Sequence, residues 1–120
     1  MSRDKTESEK GLFFSENCCV VCGWNKQNLK GESLVIGAHV RPFRNTPDYD
    51  KSDNIIGLCP NHHSEYDAGI LTIDPLKKLS IHSDAKDSFH LKPIRGRVDH
   101  VKQGYFDYHL KHLFRIKRSV

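Results

Sequence analysis

Apolar residues in this chain come in short bursts, and the spacing of the bursts predicts a small mixed fold. Leu12-Phe13-Phe14 is the first cluster. Leu34-Val35-Ile36 opens a strand predicted to run to about Val40, and Ile55-Ile56-Gly57-Leu58 reads as a second. Between them, Pro42 to Asp53 is rich in Pro, Asn and Asp and reads as a loop. Pro60 suits the start of a helix over Asn61 to Ala68, with Gly69 as its stop. Leu71-Thr72-Ile73 and Leu79-Ser80-Ile81 alternate apolar and polar positions around Asp74-Pro75-Leu76-Lys77-Lys78, a hairpin pattern. From about Gln103 to Ile116, Phe106, Leu110, Leu113 and Phe114 fall on one stripe of an amphipathic helix. Residues 1–10 are polar. The expected organisation is a disordered tail over 1–11 and one domain over 12–120.

Composition sharpens this picture only slightly. With 120 residues and 37% hydrophobic content, the chain can bury one modest core. No apolar run approaches the roughly 18 residues of a membrane span. The opening Met-Ser-Arg-Asp-Lys-Thr-Glu-Ser-Glu-Lys has no apolar stretch of a signal peptide, so a soluble, cytoplasmic protein is expected. Net charge is +4, but the distribution is uneven: residues 91–120 hold 8 basic and 2 acidic side chains. That quarter is a candidate phosphate-binding surface, or a solvated basic face.

The chemistry-bearing residues change the picture more. Four Cys and eight His are many for so short a chain. Cytosolic thiols stay reduced, so metal is a better explanation than a disulfide framework. Cys19 and Cys22 are separated by two residues, and so are Cys59 and His62. Two such pairs make the four-ligand set of a structural zinc. Gly23 permits the tight turn after the first pair. Cys18 would leave a three-residue gap to Cys22, and is read as a buried thiol instead.

A further set surrounds this knuckle. His39 lies in Gly37-Ala38-His39-Val40-Arg41-Pro42 at the end of the first strand, Asn54 opens the second strand, and His63 follows His62 on the short helix. Asp67 lies four residues beyond His63, on the same helix face, where both side chains can reach one ion. With Asn54-Ile55-Ile56-Gly57-Leu58-Cys59-Pro60-Asn61-His62-His63 and Tyr66-Asp67-Ala68-Gly69, these pieces resemble the HNH endonucleases of the ββα-metal fold. The branch they are most similar to is the nuclease domains of bacterial restriction enzymes. Tyr105-Phe106-Asp107-Tyr108-His109 with Phe114 is similar to the closing helix of that branch, so the resemblance covers roughly residues 12–116.

The resemblance implies an α+β ββα-metal domain with a zinc knuckle, an extra β-hairpin and a C-terminal helix. It implies metal-dependent hydrolysis of DNA phosphodiester bonds, in a restriction or defence setting. His39 would be the general base, Asn54 would brace the loop and orient His39, and His63 would ligate a catalytic Mg²⁺ or similar divalent cation. Cys19, Cys22, Cys59 and His62 would hold Zn²⁺. Many HNH proteins carry a metal-ligating residue just before the base histidine, where this chain has Ala38. Asp67 is the candidate to supply that oxygen, although a local helix-end interaction explains it equally well. Arg41, Arg44, Arg95, Arg97, Lys111 and Arg115 are candidates for DNA contact. Cleavage of both strands would suggest a homodimer. The alternative, favoured by the basic last quarter and by Ala38, is a zinc-stapled nucleic-acid-binding module without catalysis.

Overall fold

The computed structural model describes residues 4–115. Its first element is a helix, α1 (Lys5–Phe14), over most of the stretch expected to be a disordered tail. The helix has a local cause. Asp4 is its N-cap and accepts the backbone N–H groups of Thr6 (3.0 Å) and Glu7 (3.2 Å), which would otherwise be unpaired at a helix start. It also has a tertiary cause. Gly11 sits flat against Ile55, where an added Cβ would come within 2.5 Å of the Ile55 side chain.

The central hairpin pairs β1 (Ile36–His39) with β2 (Ile55–Leu58), antiparallel, with His39 opposite Ile55 and Ala38 opposite Ile56. The first strand is shorter than the expected 34–40, because Leu34 turns away to bond Lys26. All four residues of β2 are buried. Ile55 packs on α1, while Ile56 and Leu58 join the core with Tyr66 and Phe106. Both faces of this strand are covered, which is why it reads as a continuous apolar run.

Helix α2 (Pro60–Asp67) follows directly. Cys59 is its N-cap, with the sulfur accepting the His62 N–H at 3.4 Å, and Pro60 occupies the first turn, where its missing N–H costs nothing. The second hairpin, β3 (Leu71–Asp74) and β4 (Leu79–His82), forms as predicted and gains a short third strand, β5 (Lys92–Pro93).

The closing helix, α3 (Gln103–His112), ends earlier than the predicted 116, and Ile116 lies outside the described residues. Its inward face also differs from the expected stripe. Phe106 and His109 are buried, Phe114 is buried beyond the helix end, and Leu110 is half exposed. The inward position goes to His109 because its ring finds partners on both neighbouring elements. It stacks on Tyr66 (3.7 Å between centroids), with Nε2 3.0 Å from the Tyr66 carbonyl and Nδ1 2.9 Å from the Thr72 hydroxyl. Gly69 lets the end of α3 approach: a Cβ there would lie 2.2 Å from the Leu113 carbonyl.

Candidate functional site

The loop from Val40 to Asn54 carries the first part of the site. Asn54 is fully buried and ties the two ends of the loop together. Its carbonyl accepts the Val40 N–H (2.9 Å), and its side-chain oxygen accepts the Arg41 N–H (2.9 Å). Its amide donates to the carbonyls of Arg41 (2.9 Å) and Tyr49 (2.7 Å). The hold of Asn54 on His39 therefore runs through the backbone on either side.

His39 has a direct side-chain partner that the residue pattern did not reveal. Its Nε2 lies 2.8 Å from Oδ1 of Asp50, and both side chains are largely buried. The other oxygen of Asp50 accepts the Asp4 N–H at the start of α1. Phe43 stacks on the His39 ring, 5.3 Å between centroids and 17° from parallel. Three aspartates, 48, 50 and 53, stand in this loop, and nothing in their spacing singles out the one that folds inward.

His39 opens onto an open cavity of about 440 Å³. Across it stand His63 and Asp67 from α2, with Nε2 and Oδ2 3.1 Å apart. Adjacent ligands on an octahedral ion bound at about 2.1 Å are about 3.0 Å apart, so the pair fits neighbouring positions on one small hard cation. Ala38 contributes no ligand, which leaves a sparse site. Arg44 lines the same cavity.

Behind it, Cys19, Cys22, Cys59 and His62 converge, with their ligand atoms all within 4.8 Å of one another. The Nδ1 of His62 is 3.5 Å from the Cys19 sulfur and 3.3 Å from the Cys59 sulfur, and the Cys22 and Cys59 sulfurs are 4.0 Å apart. A tetrahedral Zn²⁺ requires edges of about 3.5 Å between nitrogen and sulfur and about 3.8 Å between sulfurs. The four residues fit that ion. The chemistry of the set agrees. Burial pushes the Cys19 thiol up to about 12, and burial lowers the proton affinity of His62. A buried thiolate needs a cation beside it, and a neutral imidazole offers a lone pair. Cys18 stays outside the cluster, with its sulfur 3.5 Å from the Ser15 carbonyl.

A second grouping, Glu65, His82 and Asp87, is spaced like a metal site but does not fit one. His82 Nδ1 accepts the Asp84 N–H at 3.0 Å, which leaves the ring proton on Nε2. That proton, not a lone pair, faces Glu65 (3.4 Å) and Asp87 (3.6 Å). At these distances the groups attract by charge without forming hydrogen bonds, and the cluster lies between α2 and the turn after β4.

The basic candidates divide by location. The Arg41 guanidinium lies over the rings of Tyr49 (4.3 Å) and Tyr108 (4.0 Å), so it clamps the loop to α3. Arg97 pairs with Glu16 at 3.2 Å, and Arg95 lines a separate hollow with Ser88, Phe89 and Lys92. Arg115 bonds the carbonyls of Phe114 and His112, while Lys111 is exposed on α3. Of the six, Arg44 alone lines the His39 cavity.

Known proteins share parts of this sequence and fold. Residues 19–74 match the family model described as HNH endonuclease. Among solved structures, a "Modification dependent TagI restriction endonuclease" superposes with a TM-score of 0.72 at 27% identity. The match covers 95% of this chain and 39% of that one, so the chain spans well under half the length of that enzyme. No curated protein matches the chain. In fold and in its central sequence, the chain resembles the HNH nuclease domains of restriction endonucleases.

Proposed function

We propose that this chain is a metal-dependent HNH endonuclease that hydrolyses DNA phosphodiester bonds, with a role in restriction or defence. The observation that carries the proposal is the convergence of His39, His63, Asp67 and Arg44 on one open cavity, beside a Cys₃His set. DNA as substrate and the defence setting rest on likeness to a restriction endonuclease.

The chain's residues have separable tasks in that reading. His63 and Asp67 would hold a divalent cation such as Mg²⁺, and Cys19, Cys22, Cys59 and His62 would hold Zn²⁺. When bound, the first ion supplies charge neutralisation at the phosphate and at the departing 3′ oxygen. His39, which lines the cavity, takes the proton from the attacking water. Arg44 pairs with a phosphate oxygen and fixes the register of the strand. Asn54 keeps the loop ends closed, so that His39 meets the phosphate in a constant position. The products are a 5′ phosphate and a 3′ hydroxyl. One such site addresses one strand, so a double-strand break would take two copies.

The test is incubation of supercoiled plasmid with Mg²⁺, Mn²⁺, Ni²⁺ or EDTA. Cleavage is expected with a divalent ion and not with EDTA. His39→Ala is expected to keep its zinc and lose at least about 10²-fold in rate. A mobility shift without cleavage under every metal would support the non-catalytic binding module instead.

A further inference from the structure

We infer that Asp50 is the positioning residue of His39: it holds the proton on Nε2 and so leaves Nδ1 as the nitrogen that accepts the proton of water. The inference rests on the proposed role of His39 as the base, and adds the group that prepares it.

The geometry has three parts. First, a carboxylate oxygen can only accept, so the 2.8 Å contact between Asp50 Oδ1 and His39 Nε2 requires a proton on Nε2. In a neutral imidazole, Nδ1 then carries the lone pair. Second, the other oxygen of Asp50 accepts the backbone N–H of Asp4, so the carboxylate is held at both ends and cannot swing away from the ring. Third, Phe43 lies nearly parallel to the imidazole and limits its rotation. Asp50 is 4% exposed, so water competes little for its oxygens. The arrangement also stabilises the imidazolium that forms once His39 has taken a proton, because a buried carboxylate lies against it.

The Asp4 contact suggests an isosteric test. In Asp50→Asn, an amide that keeps its oxygen on the Asp4 N–H turns its NH₂ toward His39. An NH₂ group donates, so Nε2 must now accept and the ring proton moves to Nδ1. Shape is preserved and the tautomer is reversed.

The experiment uses the full chain with ¹⁵N-labelled histidine, comparing wild type, Asp50→Asn and His39→Ala. Nitrogen shifts report the His39 tautomer, and plasmid cleavage with Mg²⁺ or Mn²⁺ reports the rate. The expected result is a lone pair on Nδ1 in the wild type and on Nε2 in Asp50→Asn. The variant's kcat should fall by about 10²- to 10⁴-fold with KM little changed. The wild-type tautomer needs no variant to fold, and a proton on Nδ1 there overturns the inference outright. If His39→Ala is inactive while Asp50→Asn cleaves at the wild-type rate, the Asp50 assignment alone falls. If His39→Ala cleaves like the wild type, the base assignment falls, whatever the tautomer.

Discussion

Asn54 and Arg41 illustrate how a single side chain can serve the site without touching the reaction. Asn54 satisfies one backbone N–H and two carbonyls of the loop that follows His39 and carries Asp50. Only a side chain with an acceptor and a two-proton donor can do this, which selects Asn at that position. Asn54→Ala should strand three partly buried polar groups and cost about 3 kcal/mol. Asn54→Asp should cost more, because it aims a carboxylate at two carbonyls. Urea unfolding reads both, through the midpoint at constant slope; a midpoint equal to the wild type's for Asn54→Ala would show that the loop holds without this brace. Arg41 was a phosphate candidate from its place beside His39, yet its guanidinium is stacked on two tyrosines. Residue type and sequence position alone do not distinguish a clamp from a phosphate contact.

At the scale of elements, much was legible where the signal was local. Strand β2, helix α2 and the second hairpin carry their own punctuation: a four-residue apolar run, Pro60 and Gly69, and alternation around Asp74-Pro75. Helix α1 is hidden in the sequence because its charged composition resembles a tail. Two signs were present nonetheless. Asp4 stands three residues before Glu7, the spacing of a helix start, and β2 is apolar on both faces and so needs a cover on each. The site divides in the same way. The Cys/His set and the His63–Asp67 pair follow from spacing and His39 from the family resemblance, whereas Asp50 depends on how a fifteen-residue loop folds back. The inward turn of His109 on α3 was not legible either, since an apolar stripe points to Leu110. That histidine makes the packing of α3 sensitive to acid. Its Nε2–H donates to the Tyr66 carbonyl and its Nδ1 accepts from Thr72, so the neutral ring is the bonded form. Burial accordingly lowers its proton affinity from the ordinary 6.5. The unfolded chain then binds the extra proton first, and stability from this group is full above about pH 6.5 and is lost as pH falls through the folded value. His109→Phe keeps a ring against Tyr66 but gives up both hydrogen bonds. It should be less stable at pH 7.5 by about 2 kcal/mol and lose less of its remaining stability between pH 7 and 5.5. Thermal melts of the two proteins across that range decide it; equal pH slopes would remove His109 from the account.

The Cys/His set joins the knuckle at 19–22, the end of β2 and the first turn of α2, and His62 carries the edge of Phe89 from the turn before β5. His63, the proposed ligand of the catalytic cation, is the next residue after His62, so the orientation of α2 decides where both point. A core of this size leaves little stability in reserve. Binding of zinc by these four preassembled ligands would add to folding free energy, since the unfolded chain offers no such site. Stripping the proposed zinc with a strong chelator should therefore lower the melting temperature by well over the 4–8 °C that about 1 kcal/mol produces in a domain this small. It should also abolish cleavage even when Mg²⁺ is restored. Cys59→Ser should do the same without chelator, with zinc content falling from one per chain toward none. Its effect should exceed that of Cys18→Ser, whose sulfur lies outside the cluster. The comparison separates the two proposed metal sites by their consequences. Loss of the catalytic cation, through His63→Ala, should remove cleavage and leave the melting temperature nearly unchanged, whereas loss of zinc should remove both. A chelated chain that melts like the untreated one would mean that the hydrophobic core alone positions α2, and that the four ligands serve some purpose other than holding the fold.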